Sequence, residues 1–450
     1  MPVRVIRQLL WIAVLFAFVA RPAIAQDATR IDQVVKYFAG DSRFMGSVLV
    51  AKDGAVVFSR AYGFANLEWQ IPNTVDTRFR IGSTSKQFTA AAVLLLEEGG
   101  KLHTDDLIKK HLPDVPAAWD AITIHQLLSH TSGIPDIVPM PEFQAIRTLP
   151  SRPERLLARF QDKPLLFAPG ERFNYSNTGY IVLAALIERA SGQPYERFLQ
   201  EKILDPLDLK QTGSDTFTAV IPRRASGYRP LPGGIQLRNA DYIDMTVPIG
   251  GGSLYSTTED LARWTQALFG GKLLSARSLK KMTRPVKSNY AYGVRVVTVG
   301  ERLMYEHPGA IDGFNCAVMY FPESKTAVIV LANVNGDVHL TIANRLARMA
   351  HGETVLLPTE RKEITLAPTV LARYVGVYDV GPGQSFTIAL AGDRLQITTP
   401  QRLTFAIFPE SETKFFERDR DLQFEFIVDA GGRVTQLVNS AGIKASRKPE

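Results

Sequence analysis

The stretch from Ser83 to Gly100 constrains the fold more than any other part of the chain. Phe88, Ala90, Ala91, Ala92 and residues 93–96 leave almost no polar face, and Gly99-Gly100 ends the run as a helix stop. A helix that is apolar nearly all round has to be buried on every side. The remaining sequence must therefore supply layers that enclose it. The chain has 450 residues, 45% hydrophobic and 22% charged, an ordinary globular balance with length for one large domain or two.

Candidates for those layers stand before and after the helix. Residues 46–58 alternate around Asp53-Gly54, the pattern of a hairpin with a tight turn. Strand patterns return at residues 292–299, 315–321 and 326–332, with helices predicted at 31–38 and about 339–350. Between them, residues 122–274 read as helix and loop, with helices over 178–190 and 258–269. Ser256 and Glu259 have the spacing of a capping box at the start of the latter. This order predicts a mixed α/β fold, an antiparallel sheet flanked by helices with a helical subdomain. From about Leu366 the pattern turns all-β: Phe386, Ile388 and Leu390 alternate, as do Phe424 and Phe426, with turn signals at Gly392-Asp393 and Gly431-Gly432. A catalytic domain over 26–355, a linker over 356–368 and a small β-barrel-like domain over 369–450 are the expected organisation.

The N-terminus reads differently. Arg4 and Arg7 precede an apolar run over residues 9–20, and Ala23-Ile24-Ala25 offers small residues for a signal peptidase. Residues 1–25 are expected to be a secretory signal peptide cleaved before Gln26. The apolar run is short for a bilayer span, so no stable membrane span is expected after cleavage, and the location is expected to be periplasmic or secreted. Removing Arg4, Arg7 and Arg21 lowers the formal net charge of +7 by three. That mild charge, with no basic block interleaved with aromatics, argues against a nucleic-acid partner. Cys316 is the single cysteine, so no intramolecular disulfide can form, and its place in an apolar alternating run predicts a buried structural thiol. The seven histidines show no H-E-x-x-H pattern, and neither a metal nor a cofactor is expected.

Ser83-Thr84-Ser85-Lys86 places a hydroxyl and an amine three residues apart on one helix face. A serine hydroxyl is a weak nucleophile that needs an adjacent base. Lysine can be that base when burial keeps it neutral, and the helix N-terminus disfavours the ammonium further. Backbone N–H groups at that terminus can stabilise an oxyanion. The spacing alone is common: Ser278/Lys281 and Ser411/Lys414 share it, and both read as surface pairs. The approach through Phe79, Ile81 and Gly82, followed by an apolar helix, separates Ser83 from them.

The segment from Ile81 to Phe88 resembles the active-site segment of the serine β-lactamase and penicillin-binding-protein superfamily. The likeness is strongest to the group of class C β-lactamases, D-aminopeptidases, D-alanyl-D-alanine carboxypeptidases and esterases. Tyr175-Ser176-Asn177 matches the group's second triplet, and His307-Pro308-Gly309 matches the histidine form of its third. Residues 127–134 and 251–261 resemble intervening segments of the group, and residues 371–378 resemble the lipocalin-like barrels appended to D-aminopeptidases. The resemblance implies Ser83 as nucleophile, Lys86 as base and Tyr175 as proton relay, held as a phenolate near Lys86. It implies Asn177 holding the acyl side chain, His307 near the tyrosine or the substrate, Gly309 in the binding strand, and the backbone N–H groups of Ser83 and Ala310 as oxyanion hole. His130 and Thr131 are expected to fix a loop. His307, mostly neutral near pH 7, replaces a permanent cation, which shifts the expected substrates from β-lactams toward esters and peptides. The expected partner is a small ester or peptide, with cell-wall peptide among the candidates. A β-lactamase proper and a non-catalytic binder of cell-wall peptide or protein remain the alternatives.

Overall fold

The structure, a computed structural model, describes residues 21–449 except 41, 232–235, 382, 401, 419–421, 441 and 442. Residues 1–20 of the expected signal peptide lie outside the described residues. The chain divides between His351 and Gly352 into two compact units.

The longer elements of the first unit are α1 (Arg21–Ala39), β1 (Gly46–Lys52), β2 (Ala55–Tyr62), α2 (Ser85–Glu98), α3 (Asn177–Ser191), α4 (Thr258–Phe269), β3 (Arg295–Val299), β4 (Arg302–Glu306), β5 (Gly309–Ile311), β6 (Phe314–Phe321), β7 (Thr326–Ala332) and α5 (Val338–Ala350). The strands form one antiparallel sheet in the order β3-β4-β6-β7-β1-β2, with β5 paired beside β6. The hairpin at the start of the chain therefore completes the sheet against its last strand, with Gly46 opposite Ala332 and Lys52 opposite Thr326. Every residue of β7 is buried, because both faces of the sheet are covered. Leu49, Val318, Ile329 and Leu331 pack with Leu261, Trp264 and Leu268 of α4. The intervening residues Val48, Val50, Val328 and Val330 are buried on the opposite face, where α1 and α5 touch each other and the sheet.

Helix α2 lies where its composition requires. Residues 85–94 are all buried, and α3 packs along it. Phe88 stacks on Trp264, with ring centroids 3.8 Å apart and planes 11° from parallel, and Trp264 Nε1 donates to Gln87 Oε1 at 3.0 Å. One aromatic pair thus fastens the helix carrying Ser83 and Lys86 to the helix that covers the sheet.

Three local expectations need correction. Helix α4 is capped by Thr257, whose hydroxyl accepts from Asp260 N–H at 3.2 Å, while Ser256 belongs to a short strand and bonds Thr212 instead. The cap falls one residue later because Thr257 is the residue that leaves extended geometry into the helix. Helix α1 is longer than the expected 31–38: the chain is helical from Arg21, the first described residue, to Ala39. The strand expected from Tyr292 starts at Arg295; β4, charged at both ends, was not foreseen, and β5, three residues long, was implied by the resemblance alone, since neither carries a period.

The second unit is a closed barrel of eight antiparallel strands: β8 (Gly376–Gly381), β9 (Gln384–Ala391), β10 (Arg394–Thr398), β11 (Thr404–Pro409), β12 (Lys414–Phe416), β13 (Gln423–Val428), β14 (Val434–Asn439) and β15 (Lys444–Arg447). Pairing of β8 with β15 closes it. Tyr378, Phe386, Ile388, Leu395, Ile397, Phe424 and Phe426 fill its core as the alternation required, but Leu390, expected on the same face, is exposed at the end of its strand.

Replacing Trp264 by alanine removes the stack on Phe88 and leaves a cavity behind α2. We expect the unfolding transition of the larger unit, followed in urea by far-ultraviolet circular dichroism, to lose about 3–5 kcal/mol. A loss below about 1 kcal/mol would show that the stack does not anchor the helix.

Candidate active site

The site is built around the turn that enters α2. Gly82 to Thr84 form a 3₁₀ turn, and Gly82 takes φ +47°, in the left-handed region. A side chain at Gly82 would stand 2.8 Å from the backbone N and O of Ala310, and one at Gly309 would stand 2.0 Å from the carbonyl oxygen of Ile81. Two residues without side chains therefore let β5 meet the serine turn backbone to backbone. Thr84 Oγ1 donates to the His307 carbonyl at 2.8 Å, and Cys316 Sγ donates to the Ile81 carbonyl at 3.2 Å. Burial pushes the Cys316 thiol up to about 12, so it stays protonated and structural. Ser83 keeps partial exposure and Ala310 is open to solvent, so this junction faces outward.

Lys86 is wholly buried. Its Nζ lies 3.1 Å from Ser83 Oγ, 2.8 Å from Asn177 Oδ1 and 2.7 Å from the Gly251 carbonyl oxygen. Burial pulls its pKa down to about 7, against the opposing charge of Asp136. A neutral amine has two N–H bonds and one lone pair. Asn177 Oδ1 and the Gly251 carbonyl only accept, so they take both N–H bonds, and the lone pair is left for the Ser83 hydroxyl. The amide of Asn177 cannot be reversed, because its Nδ2 donates to Asp136 Oδ1 and Oδ2 at 3.3 and 3.1 Å. Asn177 thus has both ends of its amide engaged within the protein, where a hold on substrate was expected.

Tyr175 is half-buried, and Lys86 Nζ stands 4.8 Å from its ring centroid. Burial raises its phenol above the usual value; a hydrogen bond with Ser83 lowers it, and the charge of Asp136 raises it further. The expectation of a resting phenolate is therefore corrected: a half-enclosed ring beside a carboxylate keeps its proton.

His307 does not bond Tyr175, whose ring centroid is 6.3 Å away. Its Nε2 lies 2.9 Å from the Tyr290 hydroxyl and its Nδ1 2.8 Å from the Pro308 carbonyl oxygen. Burial and the nearby charge of Lys86 bring its pKa down to about 3. The same Tyr290 hydroxyl lies 3.2 Å from His130 Nε2, while His130 Nδ1 accepts from the Ser176 backbone N–H at 3.1 Å. Three residues the sequence reading did not place at the site thus belong to it: Asp136, Tyr290 and Gly251 through its carbonyl. Asp136 stands two residues after the segment over 127–134, and Tyr290 precedes a strand pattern in an aromatic cluster, so neither carried a chemical signal of its own.

Similarity to known proteins extends over most of the chain. Residues 31–352 match the family model described as Beta-lactamase, and residues 360–446 match a domain of unknown function, DUF3471. The chain is 28% identical over 411 residues to Penicillin-binding protein 4* of Bacillus subtilis (strain 168), spanning 85% of this chain and 90% of that protein. It is 30% identical over 325 residues to the putative penicillin-binding protein PbpX of the same strain, spanning 72% and 79%. The structure of an octameric penicillin-binding protein homologue from Pyrococcus abyssi superimposes with a TM-score of 0.68 at 25% identity, covering 94% of this chain and all of that one.

Replacing Gly309 by alanine drives a methyl group into the Ile81 carbonyl. We expect Gly309→Ala to cost about 1–3 kcal/mol in urea unfolding of the larger unit and to displace the serine turn. Unchanged stability would show that β5 and the turn separate without cost.

Proposed function

The chain belongs to the beta-lactamase family, and on that premise we propose that it is an exported serine hydrolase that cleaves ester or amide bonds through an acyl-enzyme on Ser83. The observation that carries this reading is a wholly buried Lys86 Nζ 3.1 Å from Ser83 Oγ, with Asn177 Oδ1 and the Gly251 carbonyl placed to hold its two N–H bonds when it is neutral. Lys86 takes the hydroxyl proton as Ser83 Oγ attacks the substrate carbonyl. The oxyanion that forms is met by the backbone N–H groups of Ser83 and Ala310, a role supported by the close approach of Gly82 to Ala310 and of Gly309 to Ile81. Tyr175, protonated at rest, then gives a proton to the departing oxygen or nitrogen and is replenished from Lys86. Water enters, and the same groups act in reverse to release the acid and restore Ser83.

The third triplet narrows the substrate. With both ring nitrogens of His307 engaged and its charge suppressed, the triplet offers no cation to a β-lactam or peptide carboxylate. Esters and neutral peptide amides suit such a site better than β-lactams do. The curated relatives are named for penicillin binding, which favours recognition of acyl-D-peptide-like groups. Export rests on the charged, apolar and small-residue pattern of residues 1–25. Among the described residues no helix is long and apolar enough to cross a membrane.

Two measurements check the assignment. Intact mass after treatment with a penicillin-type or phosphonate probe should show one adduct on the wild type and none on Ser83→Ala. A wild type that takes no label and turns over neither p-nitrophenyl esters nor D-peptides would sink the proposal. The second concerns pH. Lys86 must be neutral to act, so kcat/KM should climb with pH and level off above about 7. Asp136 raises the Lys86 pKa, so Asp136→Asn should move that limb to lower pH. A limb that moves upward or stays in place would separate Asp136 from Lys86.

A further inference from the structure

We infer that Tyr290 is a positioning residue for the acyl transfer: its hydroxyl, held between His130 and His307, ties the second triplet to the third around Ser83. The inference rests on the reading of Ser83 as nucleophile, and its basis is a hydrogen-bond chain whose direction is settled at both ends. The Ser176 backbone N–H can only donate, so His130 Nδ1 is the bare nitrogen and His130 carries its proton on Nε2. That Nε2–H donates to the Tyr290 oxygen, 3.2 Å away. At the other end the Pro308 carbonyl can only accept, so His307 Nδ1 carries the proton and Nε2 is bare. The Tyr290 O–H therefore donates to His307 Nε2 at 2.9 Å. The Tyr290 hydroxyl also lies beside Tyr180, whose own proton goes to the Leu128 carbonyl, but only donation to His307 spares the bare Nε2 from facing an oxygen lone pair.

The ends of this chain are the middle residues of the two triplets, Ser176 and Pro308. Tyr290 is buried, its ring stands edge-on to Tyr175 at 6.2 Å, and the ring of His130 lies 4.2 Å from Tyr175 on another side. The His307 carbonyl in turn receives Thr84 Oγ1, the residue after Ser83. One phenol thus sets the spacing between Tyr175, which faces the leaving group, and Ala310, which faces the oxyanion. Tyr290 reaches this position from a turn in which Ser288 and Asn289 take φ +50° and +57°. Without its oxygen, His130 Nε2–H and His307 Nε2 would each be buried without a partner, and both rings would turn to find one.

The test separates positioning from direct chemistry. With a p-nitrophenyl ester, Tyr290→Phe should lower kcat by roughly tenfold to a hundredfold, as misplacement of reacting groups does. KM should stay within about twofold, because ground-state binding is not what the tie supplies. In His307→Gln the side-chain oxygen can replace Nε2 and accept from Tyr290, so kcat should fall less than in His307→Asn. In His307→Asn the amide can still reach Pro308 but not Tyr290, so kcat should fall to the Tyr290→Phe level. Equal losses in the glutamine and asparagine variants, or a Tyr290→Phe enzyme with wild-type kcat, would overturn the inference. Should Tyr290→Phe fail to fold, the histidine pair decides. Nitrogen-15 spectra of the wild-type imidazoles read the tie without turnover: His130 should be the Nε2–H tautomer and His307 the Nδ1–H tautomer, and like tautomers would overturn it. Failure of the serine reading shows separately, as absence of label on wild-type Ser83.

Discussion

Lys86 has no exposure to solvent, and an ammonium so enclosed loses the hydration that normally stabilises it. Everything that encloses α2 therefore also sets the chemistry of the amine. The sheet, α3 and α4 surround the helix because its apolar faces leave it no other place, and the same enclosure lowers the Lys86 pKa toward 7. Asn177 and the Gly251 carbonyl then direct what remains: they take the two N–H bonds and turn the lone pair to Ser83. Core packing and the lowered pKa of the buried amine have one physical cause in this unit, which is why the stack of Phe88 on Trp264 bears on the site.

A second constraint is the approach of β5 to the serine turn. Backbones meet there at distances that no side chain tolerates, so Gly82 and Gly309 are dictated by sterics before any chemistry is considered. Thr84 and Cys316 hold the junction from behind through the carbonyl groups of His307 and Ile81. The cysteine belongs to the scaffold, and its weak donor is used in holding the turn.

The third triplet carries a neutral imidazole where a cation would attract carboxylates. His307 is kept neutral by burial and by Lys86, and its two nitrogens are spoken for by Tyr290 and the Pro308 carbonyl. The resting phenol of Tyr175 follows from the same enclosure beside Asp136. Burial thus pushes His307, Tyr175 and Lys86 alike toward their neutral forms, with Asp136 as the charge that tempers the lysine.

Much of this architecture was legible in the sequence. The apolar run after Ser83 demanded a buried helix, residues 46–58 and 326–332 alternated or ran apolar as paired strands do, Gly82 stood in the approach to Ser83, and Tyr175, Asn177, His307 and Gly309 stood in recognisable triplets. Periodicity is local, and it reported these elements because each buries a face of its own. It was silent on β4 and β5, which are short or half-exposed and are placed by pairing with β3 and β6. It was silent on Asp136 and Tyr290 too, whose partners are 41 positions away in Asn177 and 160 and 17 positions away in His130 and His307. A triplet can name the residues of a site. Which nitrogen carries a proton, which amide end faces the lysine and whether a phenol ionises depend on burial and on neighbours distant in sequence, and only the folded chain brings those together.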